Sequence, residues 1–191
     1  SVYAFRSEGT NATLNIEFKN LRFRNWDKHP SNAGALVLYE GVNVTTENVD
    51  FINCTIGAWC RGGYSRHYGG LVENCNWGFA GQYNHGGKIG LESNPVTIRN
   101  CNIGVFVARQ SVMHVDYVNF ENNRVDIQLH QKSRVGTIGN KHKGWKDVSI
   151  WLQGDSIHED NSDIPSTWDA DSITDQTPIY RFSNGSSVPS V

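Results

Sequence analysis

Val96-Thr97-Ile98-Arg99-Asn100-Cys101-Asn102-Ile103-Gly104 is the stretch on which the reading of this chain turns. Apolar Val96 and Ile98 alternate with polar residues up to Asn100, and alternation resumes beyond it through Ile103, Val105 and Val107. A period of two marks a strand with one buried face. The asparagine between the two strands suits a tight bend, because asparagine tolerates the left-handed backbone conformation.

Working outward, the same pattern appears at Val49–Gly57, at Gly70–Gly78 and at Val118–Asp126, with an earlier copy at Leu21–Trp26. The register residues are Asn25, Asn53, Asn74, Asn100 and Asn122, spaced by 28, 21, 26 and 22 residues. A third strand precedes each pair, at Val42-Asn43-Val44, Lys88–Leu91 and Val112–Val115. Three strands and three turns in that length fit one coil of a solenoid, whose apolar face is buried only when coils stack about 4.8 Å apart. The expected fold is all-β: a right-handed parallel β-helix of five to six coils over 1–153, with asparagine side chains bonded along a ladder. An antiparallel sandwich also gives frequent turns, but it does not demand asparagine at one register in successive units. From Gly154 onward the Asp-, Ser-, Thr- and Pro-rich sequence reads as an extended or irregular tail over 154–191, ordered against a partner subunit, in which Ile179–Phe182 alone looks like a strand.

Composition narrows the classes. Charged residues make up 19% and the net charge is −2, which leaves no basic field for nucleic acid. No run of 18 apolar residues spans a membrane. No CxxC pair, metal-spaced histidines or cofactor motif is present, so neither a metal nor a cofactor is expected. The start lacks a signal peptide and an initiating Met and reads as a piece of something longer. Cys54, Cys75 and Cys101 fall in one row beside the asparagine ladder and read as small buried thiols, with a Cys54–Cys75 disulfide as the rival; Cys60 is expected to point inward. The sequons at Asn11, Asn43, Asn53 and Asn184 read as accidental in an Asn-rich chain.

The repeat turns the sequence into a surface map. Glu73, Arg99 and Glu121 form an outward row of alternating sign. Two consecutive coils are expected to carry long inserts, Trp59–Tyr68 and Ala80–Gly87, rich in Gly, Tyr and His, and the next coils place Arg109 and Gln110, then His130 and Gln131, nearby. Aromatic faces with Arg, Gln and Asn suit sugars, which offer apolar CH faces and many hydroxyls. The candidate carbohydrate-binding residues are therefore Trp59, Arg61, Tyr64, His67, Tyr68, Gln82, Tyr83, His85, Arg109 and His130. Contact with a sister subunit explains the same loops equally well. Catalytic candidates are weak: Asp116, Glu121, Asp126 and Glu73, with no pair separation fixed by the pattern.

The Ile98-Arg99-Asn100-Cys101-Asn102-Ile103-Gly104 repeat resembles the right-handed parallel β-helix superfamily over roughly residues 14 to 152. Its members include pectate-lyase-like enzymes and bacteriophage tailspike or neck-appendage proteins. Irregular coils, free cysteines and a polar Asn-rich surface look more like the phage proteins. That resemblance implies a parallel homotrimer on a virion, outside the cell, binding bacterial surface polysaccharide for host recognition. Two other readings stay open: a polysaccharide depolymerase, hydrolase or lyase, and a structural shaft segment that binds nothing. The calcium-binding acids and clustered arginine of the pectate lyases have no matching segment here.

Overall fold

A computed structural model describes residues 3–7, 14–26 and 34–183. The chain winds into a parallel β-solenoid of about six turns. Each turn contributes one strand to each of three sheets. Sheet A has eight strands, from Tyr3–Arg6 to Tyr180–Ser183; sheet B has seven, from Leu14–Lys19 to Ile157–Asp160; sheet C has seven, from Arg22–Trp26 to Thr167–Trp168. Every pairing between these strands is parallel, for instance Thr97↔Leu71 and Thr97↔Asn119.

The asparagines sit where sheet C turns into sheet A. Asn25, Asn53, Asn74, Asn100 and Asn122 all hold φ between 53 and 63°. Asn53 Nδ2 donates to Asn25 Oδ1, and Asn74 Nδ2 to Asn53 Oδ1, each at 3.2 Å. A second ladder joins Asn102 to Asn76 at 2.9 Å on the outer side of the same corner. The bend thus satisfies two demands with one residue type: a left-handed backbone and a side-chain bond one turn away.

Inside the solenoid the apolar residues form columns. Phe23 stacks on Phe51 at 5.5 Å, and Phe51 meets Phe79 edge-on at 5.9 Å. All four cysteines are buried and free, in keeping with the thiol reading and against a disulfide. Asn123 takes the next place in the cysteine row; its Oδ1 accepts from Cys101 N, and its Nδ2 donates to Ile98 O and Asp126 Oδ1. On the outside, Arg99 Nε reaches Glu73 Oε1 at 2.8 Å and pairs in register with Glu121, as the charge row requires.

Two expectations need correction. The coil does not stop near Gly154. Ile157–Asp160 pairs with Arg134–Ile138, Thr167–Trp168 with Lys141–Lys143, and Tyr180–Ser183 with Val148–Gln153. These strands have two to four residues and send inward mainly His158, Trp168 and Tyr180. An open sheet edge recruits them through backbone bonds, so little apolar alternation is left to read. The supposed inserts are likewise ordinary wall: Ile56–Arg61 and Trp77–Gln82 are strands of sheet A, and Tyr64–Tyr68 and Gly86–Ile89 strands of sheet B. In the 26-residue spacing the extra length falls instead between sheets B and C, where Leu91 and Asn94 form a bridged turn. In the 28-residue spacing, residues 27–33 lie outside the described residues, as do the sequons at Asn11 and Asn184.

Candidate functional site

The corner from sheet A to sheet B is built differently from the asparagine corner. Successive coils place two consecutive left-handed residues there: Gly62-Gly63, Tyr83-Asn84, Arg109-Gln110, Gln131-Lys132 and Gly154-Asp155, with φ between 56 and 77°. Backbone bonds from the next coil hold the pairs, as with Asn84 N to Arg109 O and Gln110 N to Gln131 O, both 3.0 Å. For a residue with a Cβ the left-handed conformation costs roughly 1–2 kcal/mol, a penalty glycine avoids. Glycine occupies both positions in one coil and the first position in the last. Three intervening coils carry large side chains instead, all six in the strained conformation.

Those six side chains face one cavity of about 560 Å³, bounded by Glu40 and Gly154 at its ends. A second cavity, of about 390 Å³, shares Tyr83 and Arg109 with it and continues onto the outer face of sheet A. There the lining is Tyr39, Trp59, Arg61, Trp77 and Gln82. Trp59 Nε1 donates to Gln82 Oε1 at 3.1 Å, which locks both side chains. Trp77 stacks on Phe106 at 4.5 Å. Arg61 Nη1 donates to the Tyr39 hydroxyl at 3.3 Å. Together the two cavities form a groove along the solenoid axis, floored by aromatic rings and edged by amide and guanidinium donors.

Of the ten carbohydrate-binding candidates, Trp59, Arg61, Gln82, Tyr83 and Arg109 meet in this groove. His130 lies on the same face one coil on, half-buried, 5.3 Å from the Phe106 ring and accepting from Gln128 Nε2 at 2.8 Å. Tyr64 and Tyr68 belong to sheet B; Tyr64 is exposed on that neighbouring face and lines a different cavity with Arg66. His67 and His85 correct the map: both point inward and are 1% exposed. Thr46 Oγ1 bonds His67 Nδ1 at 2.9 Å, and His67 packs 4.5 Å from Phe79. His85 Nε2 bonds Ser65 Oγ at 2.8 Å, and its Nδ1 donates to Gly62 O at 2.9 Å. Burial, with the neighbouring His85, lowers His67 to about 3; burial lowers His85 to about 4. Gln110 and Gln131, which the repeat places beside Arg109 and His130, line the groove too, whereas Tyr39, Glu40, Trp77 and Lys132 are lining residues that the sequence reading did not name as candidates.

The four acidic candidates do not converge. Asp126 is wholly interior, bonded to Asn123, His142 and Ser149. Asp116 is 2% exposed and paired with Lys88 at 2.9 Å. Glu73 and Glu121 lie on sheet C with Arg99 between them. None lines the groove, whose one lining carboxylate is Glu40. Glu159 and Asp160 share a smaller cavity with His114, but Glu159 pairs with Arg134, and Asp160 accepts from Thr137 and Ser166. Among the described residues no cluster of three or more His, Cys, Asp or Glu side chains could hold a metal ion, and no helix is long and apolar enough to cross a membrane.

Set against known proteins, the chain matches no family model, no curated protein and no solved structure.

Proposed function

We propose that this chain is a glycan-binding β-solenoid, a phage-appendage domain that holds bacterial surface polysaccharide along the groove between sheets A and B. The observation that carries the proposal is the substitution of glycine at that corner. Tyr83, Asn84, Arg109, Gln110, Gln131 and Lys132 all occupy left-handed backbone positions and all line the larger cavity. Strain of this kind persists where the side chains themselves are needed. The chemistry beside them favours sugars: aromatic faces for CH groups, and Gln, Asn and Arg donors for hydroxyls. An open axial groove suits a chain ligand better than a small enclosed one. Binding without cleavage is the form proposed, since glycoside hydrolysis needs two carboxylates flanking the bond and the lining holds one. Assembly as a parallel homotrimer on the virion, implied by the family resemblance, belongs to the same proposal.

The test is binding to arrayed bacterial capsular and O-antigen polysaccharides, with reducing ends measured in parallel. Tyr83→Ala and Gln82→Ala should each weaken the strongest interaction at least tenfold. Tyr64→Ala, on the neighbouring face, should leave it unchanged. Loss with Tyr64→Ala but not with Tyr83→Ala would move the site to sheet B, and release of new reducing ends would make the protein a depolymerase. Sedimentation of the intact chain as a monomer would reject the trimer.

A further inference from the structure

The groove carries a more specific signal than aromatic lining. Its cations and rings alternate along the axis. Arg6 and Arg61 each lie 5.0 Å from the Tyr39 ring centre; Arg61 lies 4.6 Å, and Arg109 4.1 Å, from the centre of Tyr83. Arg61 also approaches the Trp59 ring at 5.1 Å. Tyr83 therefore holds two guanidinium groups against one ring, from the coils on either side of it.

Five arginines elsewhere are neutralised by carboxylates: Arg22 pairs with Asp50, Arg99 with Glu73, Arg134 with Glu159, and Arg124 and Arg181 share Asp147. Arg66, on sheet B, lies 5.1 Å from the Tyr64 ring centre as a single cation on a single ring. Among the described residues neither Arg61 nor Arg109 has a carboxylate within ion-pair distance, and Arg61 Nε is buried without a hydrogen-bond partner. Lys132 lines the same groove, against a single acid, Glu40. In a chain of net charge −2 this is a local excess of positive charge, held where like charges repel. Cation–π contact offsets part of that repulsion and fixes the orientation of the guanidinium planes. Arg61 Nη1 is partly engaged by the Tyr39 hydroxyl, but the remaining guanidinium N–H groups of Arg61 and those of Arg109 can donate to carboxylate or phosphate oxygens, which a guanidinium edge matches two at a time.

We propose that the groove selects acidic polysaccharide, with Arg61 and Arg109 gripping acid groups of one glycan chain on either side of Tyr83. The inference rests on the glycan-binding reading and names its ligand class. A general polyanion such as nucleic acid is a poorer fit, because the net charge is −2 and Glu40 interrupts the cations of the groove.

The test uses the full chain against four probes: polysaccharides bearing uronic acids, polysaccharides linked through phosphodiesters, neutral polysaccharides such as dextran and chitin oligomers, and poly-glutamate. Acidic glycans should bind at least tenfold more tightly than neutral ones at low salt, and the advantage should shrink in 0.5 M NaCl. Arg61→Gln and Arg109→Gln should each remove most of that advantage while the circular dichroism spectrum is unchanged. Arg109→Lys should restore only part of it, because an ammonium group lacks the planar fork. Preference for uronate or for phosphodiester chains would identify the acid, and either supports the proposal. Neutral chains binding as tightly as acidic ones would overturn the acidic selection and leave the glycan reading standing. Poly-glutamate binding as well as the acidic glycans would overturn the glycan reading and leave an anion site. Failure of every probe would overturn both.

Discussion

His142 Nδ1 lies 2.9 Å from Asp126 Oδ2, and neither side chain has any solvent exposure. Ser149 Oγ joins them, 3.0 Å from each partner, and Trp168 Nε1 donates to that hydroxyl at 3.2 Å. The group has the composition of a nucleophile, base and acid, but not the arrangement. Serine and aspartate bond the same ring nitrogen, Nε2 points into the core without a partner, and no solvent path reaches the group. Its role is structural. In the sheet A positions where earlier coils have Gly57, Gly78 and Gly104, the later coils have Asp126 and Ser149, and His142 continues the aromatic column by stacking on Phe120 at 4.8 Å and Trp168 at 5.2 Å.

Asp126→Ala should therefore destabilise the fold by about 3–5 kcal/mol, because it strands Asn123, His142 and Ser149 in a water-free interior. Urea denaturation checks this. A loss under about 1 kcal/mol would mean the interior rearranges or admits water.

Stability should also depend on pH through three interior histidines. Burial is the main cause in each case, lowering His67 to about 3 and both His85 and His158 to about 4. Against an unfolded value near 6.5, the unfolded chain takes up protons first as pH falls. The contribution is thus fully present above pH 6.5 and erodes below it, by roughly 1.4 kcal/mol per pH unit per histidine, until the folded values are reached. Thermal melts from pH 7 to pH 5 should show a steep decline, and His158→Gln should remove about a third of that slope. A flat profile over this interval would show that water reaches these rings.

The two left-handed corners should respond differently to glycine. At Asn74, with φ 54° and an exposed ladder bond, glycine should cost under about 1 kcal/mol, whereas valine should cost about 2 kcal/mol. At Gln110, with φ 63°, glycine should be neutral or stabilising by up to about 1 kcal/mol. Equilibrium unfolding of the three variants decides the matter. A marked loss with Gln110→Gly would assign that side chain to folding and weaken the case for a binding role at the corner.

The thiols should be inert in the folded protein. Hydrogen bonds from neighbouring thiols and burial push Cys54 and Cys75 up, and burial pushes Cys60 up to about 12. Ellman's reagent should find no reactive thiol in native protein and all four after denaturation. Reductant should leave the unfolding midpoint unchanged, because all four cysteines are free. Rapid labelling of any thiol under native conditions would show that the cysteine row opens to solvent.

Much of the architecture is written in the sequence. The asparagine row, the thiol row beside it and the Glu73–Arg99 pair all follow from aligning copies, because one corner uses one residue type in coil after coil. Of the last coil only the strand at Ile179–Phe182 was readable, since Thr167–Trp168 is too short to show a period and is recruited by the edge of Lys141–Lys143. The inward turn of His67 and His85 was also hidden. Their parity is set at the Gly62-Gly63 and Tyr83-Asn84 corners, and residues rich in Gly, Tyr and His look like a surface loop in one dimension.

Sequence alone determined that residues one repeat apart become axial neighbours, because alternation and a recurrent bend former are local properties that survive without knowledge of contacts. Tertiary structure alone decided which side chains share the groove. A left-handed pair can be Gly-Gly, Tyr-Asn, Arg-Gln or Gln-Lys, because bonds from the adjacent coil hold strained residues there as well as glycines. Only stacking brings Arg61 and Arg109, 48 positions apart in the chain, to the same tyrosine ring.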